Sequence, residues 1–140
     1  MNGHCLCGAM QITLRDRPDA LHVCHCGTCR RQGGVGFALM VPAANLTITG
    51  DTIRTYDSSD WGERSFCGTC GTSLWFHAKG TDEYALSPGL LDDWTGLKIT
   101  DEIFIDAKPD TYAFAGAHPR LTGDQFFAML SAPNQEGGQP

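Results

Sequence analysis

The sequence predicts a mainly β protein, built of short antiparallel strands around cysteine knuckles and finished by a short C-terminal helix. Three observations carry this. Short runs of apolar residues alternate with polar ones, the period of a half-buried strand. Glycines at positions 8, 36, 50, 62, 71, 80, 89 and 96 punctuate those runs as turn residues. Seven cysteines fall into three tight groups, each at chelate spacing.

Taken in order, Met10, Ile12 and Leu14 alternate with polar neighbours and mark the first strand, and Leu21-His22-Val23 forms a second that runs directly into the middle cysteine group. Further short strands are expected at 37–41, 46–49, 53–56, 74–76, 84–86 and 103–105. Strands this closely spaced, parted by glycine turns, describe an antiparallel meander rather than βαβ units, which need a helical crossover. One helix is expected near the C-terminus. Thr122-Gly-Asp-Gln125 has the form of a capping box, in which the two polar side chains each satisfy the other residue's backbone N–H. Phe126, Phe127 and Leu130 then share one face and are expected to pack as core. Residues 132–140 (APNQEGGQP) are of low complexity and read as a frayed tail, which leaves one domain over residues 1–131.

Composition narrows the function. At 140 residues with 41% hydrophobic and 19% charged residues, the chain has enough apolar material to fold and is of single-domain size. No apolar run approaches the ~18 residues that a membrane span requires, and the N-terminus passes straight into His4-Cys5 without a signal core. The expected compartment is therefore the cytoplasm, with no membrane partner. A net charge of −6 repels polyanions, and the densest basic spot is only Arg30-Arg31, so no nucleic-acid partner is expected. The scattered cations suit a small anion better. Seven is an odd number of cysteines, which fits poorly with a fully paired disulfide framework and points to metal ligation in a reducing compartment.

The groups are Cys5-Leu-Cys7-Gly8, Cys24-His-Cys26-Gly-Thr-Cys29 and Cys67-Gly-Thr-Cys70-Gly71. A C-x-x-C-G turn aims two thiolates at one point, and the glycine after it lets backbone N–H groups approach the sulfurs. Tetrahedral zinc takes four ligands, so the pairs Cys5/Cys7 and Cys67/Cys70 sum to one closed structural site. Cys24, Cys26 and Cys29 grip a second ion and leave its fourth position open, as a reactive site requires. Pairing Cys5 and Cys7 with two of the middle cysteines is a possible alternative, but it strands ligands elsewhere. Reduced metal-free thiols, a Cys24–Cys26 disulfide and an iron–sulfur cluster fit the spacings less well, and soft thiolates in this number favour zinc, two ions per chain. His25 lies between two candidate ligands, yet strand alternation turns its side chain away from those of Cys24 and Cys26. His4, His22, His77 and His118 have weaker claims still.

These residues carry a resemblance to the glutathione-dependent formaldehyde-activating enzyme family. The C-x-C-G near the N-terminus, the C-H-C-x-x-C-R-R, the small-residue stretch Gly33-Gly-Val-Gly-Phe37, the run Arg64-Ser-Phe-Cys-Gly-Thr-Cys-Gly-Thr72 and Gly89-Leu-Leu-Asp-Asp93 all resemble that family in the same order. The likeness covers residues 3–115, about four-fifths of the chain. It implies a β-tent fold, a structural zinc on Cys5, Cys7, Cys67 and Cys70, and a catalytic zinc on Cys24, Cys26 and Cys29. It also implies a carbon–sulfur lyase activity that joins glutathione to formaldehyde. Two segments depart from the family pattern. Glu102-Ile-Phe104 stands where many members show a histidine and an aromatic pair, and Asp110-Thr-Tyr-Ala-Phe114 replaces a tryptophan-bearing piece. Both changes bear on the substrate and leave the cysteine groups untouched.

Zinc on three thiolates carries a formal charge of −1, which suits it poorly to making hydroxide and better to taking up a substrate thiol as its thiolate. The thiolate then attacks a small aldehyde. Arg30, Arg31 and Arg64 are the expected partners of the substrate's carboxylates, because a guanidinium meets a carboxylate with two parallel donors. Two other functions are consistent with these residues: a non-catalytic zinc module on the same fold, and a carrier that binds glutathione without turnover.

Overall fold

Strands form at seven of the eight places where the sequence predicts them, and over residues 11–14 and 20–24 burial alternates as a half-buried strand requires. In a computed structural model that describes residues 1–131, the strands are β1 (Asn2–His4), β2 (Gln11–Leu14), β3 (Ala20–Cys24), β4 (Gly36–Pro42), β5 (Leu46–Thr49), β6 (Ile53–Asp57), β7 (Gly62–Cys67), β8 (Ser73–Ala78), β9 (Glu83–Leu86), β10 (Lys98–Ile103) and β11 (Arg120–Leu121). Two helices, α1 (Gly27–Gly33) and α2 (Gly123–Ser131), and three single 3-10 turns complete it, so the fold is mainly β with a short C-terminal helix, as expected. The tail expected over 132–140 lies outside the described residues. No helix among the described residues is long and apolar enough to cross a membrane.

The chain forms two compact units, and β3, β4 and β10 each begin in one and end in the other. The first comprises residues 1–21 and 38–98. It holds an antiparallel three-stranded sheet ordered β1-β2-β5, with Ile12 opposite Gly3 on one side and Ile48 on the other. It also holds the antiparallel run β4-β9-β8-β7-β6. Its core is apolar: Met10, Ile12, Leu14, Leu39, Val41, Leu74, Trp75, Leu86, Leu90 and Leu91 are all buried. A register shift between Ser65 and Phe66 bends β7 just before Cys67, the kind of kink that re-aims a side chain beside a site.

The second unit comprises, among the described residues, 22–37 and 99–131. Here β11-β10-β3 are neighbours, and β10 pairs with β11 in parallel, an exception to the antiparallel expectation. Helix α2 starts where the capping box places it: the Thr122 amide donates to Gln125 Oε1 at 2.8 Å and the Gln125 amide to Thr122 Oγ1 at 3.1 Å. The core expectation for its apolar face needs correction. Phe126 and Phe127 pack on Phe104, but Phe127 and Leu130 stay 48% and 41% exposed. The strand expected over 103–105 also moves. β10 ends at Ile103 because Phe104 turns left-handed (φ 58°) and starts the 3-10 turn Ile105–Ala107.

Candidate metal centres

In the first unit two knuckles of like build face one another. The Gly8 amide donates to the Cys5 carbonyl at 3.0 Å and the Gly71 amide to the Cys67 carbonyl at 2.8 Å. Both glycines sit at φ 81°, a conformation that costs a side chain dearly. The Leu6 amide donates to Thr72 Oγ1 at 3.0 Å and ties the turns together. The four sulfurs of Cys5, Cys7, Cys67 and Cys70 lie within 4.8 Å of one another, with Cys5 to Cys7 at 3.7 Å and Cys7 to Cys67 at 3.9 Å. A tetrahedron with metal–sulfur bonds of about 2.3 Å has edges of about 3.8 Å, so these thiols already stand at ligand separation.

The polar surroundings favour the thiolate at Cys67 and Cys70, whereas at Cys7 the pull of the Ala9 backbone is outweighed by burial and by the hydrogen bonds of Cys5, Cys70 and Cys67, which push that thiol up to about 11. The Met10 amide donates to Cys5 Sγ at 3.3 Å, and the Thr52 and Thr72 hydroxyls lie 3.4 Å from Cys67 Sγ and 3.1 Å from Cys70 Sγ. The Thr72 hydroxyl, followed by its amide, holds the Cys70 thiol down to about 5, and the Thr52 hydroxyl lowers that of Cys67 in the same way. Cys5 and Cys67 are wholly buried, Cys70 is half-buried and Cys7 is exposed.

The second unit builds its cluster on a helix that the sequence reading did not anticipate. β3 ends at Cys24, and Cys26 is the N-cap of α1, its sulfur accepting the Cys29 amide at 3.4 Å where a serine or aspartate oxygen ordinarily serves. The first turn of α1 then carries Cys29 back toward the strand end. The sulfurs of Cys24, Cys26 and Cys29 lie within 4.8 Å of one another, all half-buried, with no fourth Cys, His, Asp or Glu donor in the group among the described residues. Hydrogen bonds from Cys24 and Cys29 hold the Cys26 thiol well below its ordinary range, and hydrogen bonds to Cys26 and Cys29 together with burial push that of Cys24 up.

β4 passes close by this cluster. A Cβ built on Gly36 would lie 2.7 Å from Cys29 Cβ and 2.9 Å from its sulfur, so only glycine lets the strand approach. All seven cysteines are free thiols, so no Cys24–Cys26 disulfide forms in this structure. Arg30 and Arg31 stand on the last turn of α1, both exposed. Arg64 belongs to the first unit, on β7, where its guanidinium lies 4.9 Å from the centre of the Phe76 ring.

The sequence reading passed over a polar knot in the second unit. Burial on β3 alternates through Leu21, Val23 and His25, so His25 turns inward while Cys24 and Cys26 turn the other way. Its Nε2 lies 2.7 Å from Glu102 Oε1 and its Nδ1 lies 2.8 Å from the Tyr112 hydroxyl. Burial opposes ionisation of Glu102, but hydrogen bonds from His118 and His25 and the charge of Arg120 outweigh it and hold the carboxyl below its usual range. Burial, seconded by the Glu102 charge, raises the Tyr112 phenol. The continued alternation through His25 was a readable signal for part of this. The partners that meet it, 77 and 87 residues away, had none.

Residues 1–107 match the model of a family described as glutathione-dependent formaldehyde-activating enzyme. An uncharacterized lyase of Schizosaccharomyces pombe is 30% identical over 130 residues, spanning 91% of this chain and 95% of its own. A Halomonas elongata protein provisionally named glutathione-dependent formaldehyde-activating enzyme is 29% identical over 90 residues, 54% of each chain. A Podospora anserina protein of the same provisional name is 34% identical over 77 residues, but the match covers only 36% of its length. A crystal structure of a Rhodobacter sphaeroides protein shares the fold, with a TM-score of 0.58 at 23% identity, over 86% of this chain and 99% of that one.

Proposed function

Because the chain belongs to the glutathione-dependent formaldehyde-activating enzyme family, we propose that it adds a small thiol of the glutathione type to formaldehyde or another small aldehyde, as a carbon–sulfur lyase or synthase in the cytoplasm. One observation carries this reading: three half-buried thiols stand within 4.8 Å of one another without a fourth donor in their group among the described residues. Cys5, Cys7, Cys67 and Cys70 are the proposed ligands of a structural zinc, and Cys24, Cys26 and Cys29 those of the reactive one. Zinc there supplies a position at which a thiol is taken up as its thiolate, well below the free pKa of about 8.5.

The chain's own residues supply the rest. Cys26, as N-cap, and Cys29, one turn on, are held by the α1 backbone, so the cluster opens in a fixed direction. Arg30 and Arg31, on the same short helix and exposed to solvent, are the first two proposed partners of the substrate's carboxylates. Arg64 is the third proposed carboxylate partner. In the addition one carbon–sulfur bond forms and the thiol proton ends on the former carbonyl oxygen, so no oxidant or reductant is involved.

Cobalt(II) tests this, because it accepts tetrahedral sulfur sites and its charge-transfer bands report the number of bound thiolates. With cobalt in both clusters, glutathione should raise thiolate charge-transfer absorption by about one ligand's worth per chain, whereas S-methylglutathione should not. Arg30→Ala and Arg64→Ala should weaken that titration without changing its end-point spectrum. Formaldehyde added with glutathione should then turn over at steady state. A spectrum unmoved by several small thiols would make the non-catalytic zinc module the better reading, and glutathione binding without turnover would make it a carrier.

A further inference from the structure

The chemistry proposed above makes no use of the most buried polar groups in the second unit. Glu102 is 1% exposed, yet its carboxylate takes three donors: His25 Nε2 at 2.7 Å on Oε1, and His118 Nε2 at 2.6 Å and Arg120 Nε at 2.9 Å on Oε2. Arg120 is anchored in turn, with Nη2 donating to the carbonyls of Phe114 at 2.8 Å and Gly116 at 3.0 Å. Burying a carboxylate costs more than burying an apolar side chain of the same size, and well-packed apolar replacements for such knots are commonly neutral or stabilising. What the knot adds is orientation.

That orientation acts on His25. An ionised carboxylate only accepts, so His25 Nε2 carries the hydrogen. Its Nδ1 lies 2.8 Å from the Tyr112 hydroxyl, and Arg120 holds the far oxygen of Glu102 at 2.9 Å. The ring is thus pinned at both nitrogens and backed by Phe114, whose ring centre is 6.1 Å away. The backbone is pinned as well, because the His25 amide donates to the Ile103 carbonyl at 3.1 Å, one residue from Glu102. His25 separates Cys24 from Cys26, so whatever fixes its ring and its amide also fixes the spacing and direction of those two sulfurs. Tyr112, His118 and Arg120 lie beyond residue 107, where the family match ends.

We propose that Glu102 is a positioning residue for the three-cysteine cluster: clamped by His118 and Arg120, it holds His25 against Tyr112 and so sets the Cys24–Cys26 pair at ligand separation. This rests on the reading that the cluster binds a metal. The mutual support resembles outer-shell partners of metal ligands generally, whose loss weakens binding by about 10–100-fold.

The test titrates the full-length metal-free chain with cobalt(II) against a competing chelator, resolving the two clusters by their charge-transfer intensity, four thiolates against three. Glu102→Gln keeps the size of the side chain but removes its charge and one acceptor. It should weaken cobalt binding at the Cys24/Cys26/Cys29 cluster by about tenfold or more and shift that cluster's visible bands, leaving the four-cysteine cluster at its native affinity. Tyr112→Phe removes one hydroxyl and leaves Glu102 in place. It should produce a smaller change in the same direction, and it decides the matter alone if Glu102→Gln does not fold. Native affinity and native bands at the three-cysteine cluster in the folded variants would overturn the proposal, as would equal weakening at both clusters, which marks general loss of structure. A wild-type three-cysteine cluster that takes up no cobalt would instead overturn the proposed function, and the positioning role with it.

Discussion

Gly36→Ala should empty the three-cysteine cluster through one added methyl group. The new carbon would lie 2.7 Å from Cys29 Cβ, 2.9 Å from Cys29 Sγ and 3.2 Å from the Cys24 carbonyl oxygen. Ordinary contacts begin at 3.4 Å, so β4 or Cys29 must give by about 0.5–0.7 Å. Metal–sulfur distances tolerate about ±0.2 Å, so a sulfur displaced that far no longer completes the set. Nor can Cys29 move freely, since its amide is engaged with Cys26 Sγ within the first turn of α1. Overpacking of this kind costs about 1–3 kcal/mol, which for a chain of this size lowers the Tm by about 3–12 °C. Metal analysis and thermal melts provide the assay, with Gly33→Ala as the control, because a Cβ on Gly33 meets nothing within 4 Å. That control should keep both ions and melt at or slightly above the native temperature, alanine being the better helix former. If Gly36→Ala holds two ions at native affinity and melts within about 2 °C of wild type, the reasoning from close approach to metal site is wrong.

The two clusters should carry unequal structural weight. Cys7 and Cys67 are 60 residues apart, so an ion joining them constrains the unfolded chain by on the order of 4 kcal/mol, against about 2 kcal/mol for the six-residue segment of the other cluster. Cys70→Ala should fail to fold or melt far lower, whereas Cys26→Ala should stay folded with about one ion, and equal destabilisation by both would defeat the partition. Mild peroxide should release one ion before the other, with mass spectrometry placing the first oxidation on Cys24, Cys26 or Cys29, next to the open position. Cys5 and Cys67 are wholly buried and should be spared, and early oxidation of Cys67 or Cys70 would contradict the assignment.

What the sequence determined by itself was local. Chelate spacings within five residues, the capping box at Thr122 and Gln125, and the alternation at Ile12 and Leu14 are each settled by neighbours along the chain, and all three recur in the structure. The division of seven thiols into a four and a three was readable for the same reason, since ligand number is counted rather than folded. Elements without a local signature escaped. β7 reads Gly-Glu-Arg-Ser-Phe-Cys, with no apolar alternation, and is a strand because β6 and β8 pair with it on both sides. α1 contains two glycines of its seven residues and holds because a cysteine sulfur caps it. Ile103 ends a strand rather than beginning one, because Phe104 turns left-handed directly after it. The knot at Glu102 was the least legible of all. A glutamate between aspartate and isoleucine has the look of a solvated residue, and only the parallel pairing of β10 with β11, which sets Glu102 opposite Arg120, brings His25, His118 and Arg120 onto one carboxylate. Burial of a charge depends on how many donors reach it in space, and those donors come from 16 to 77 residues away, a distance over which sequence pattern carries no geometry.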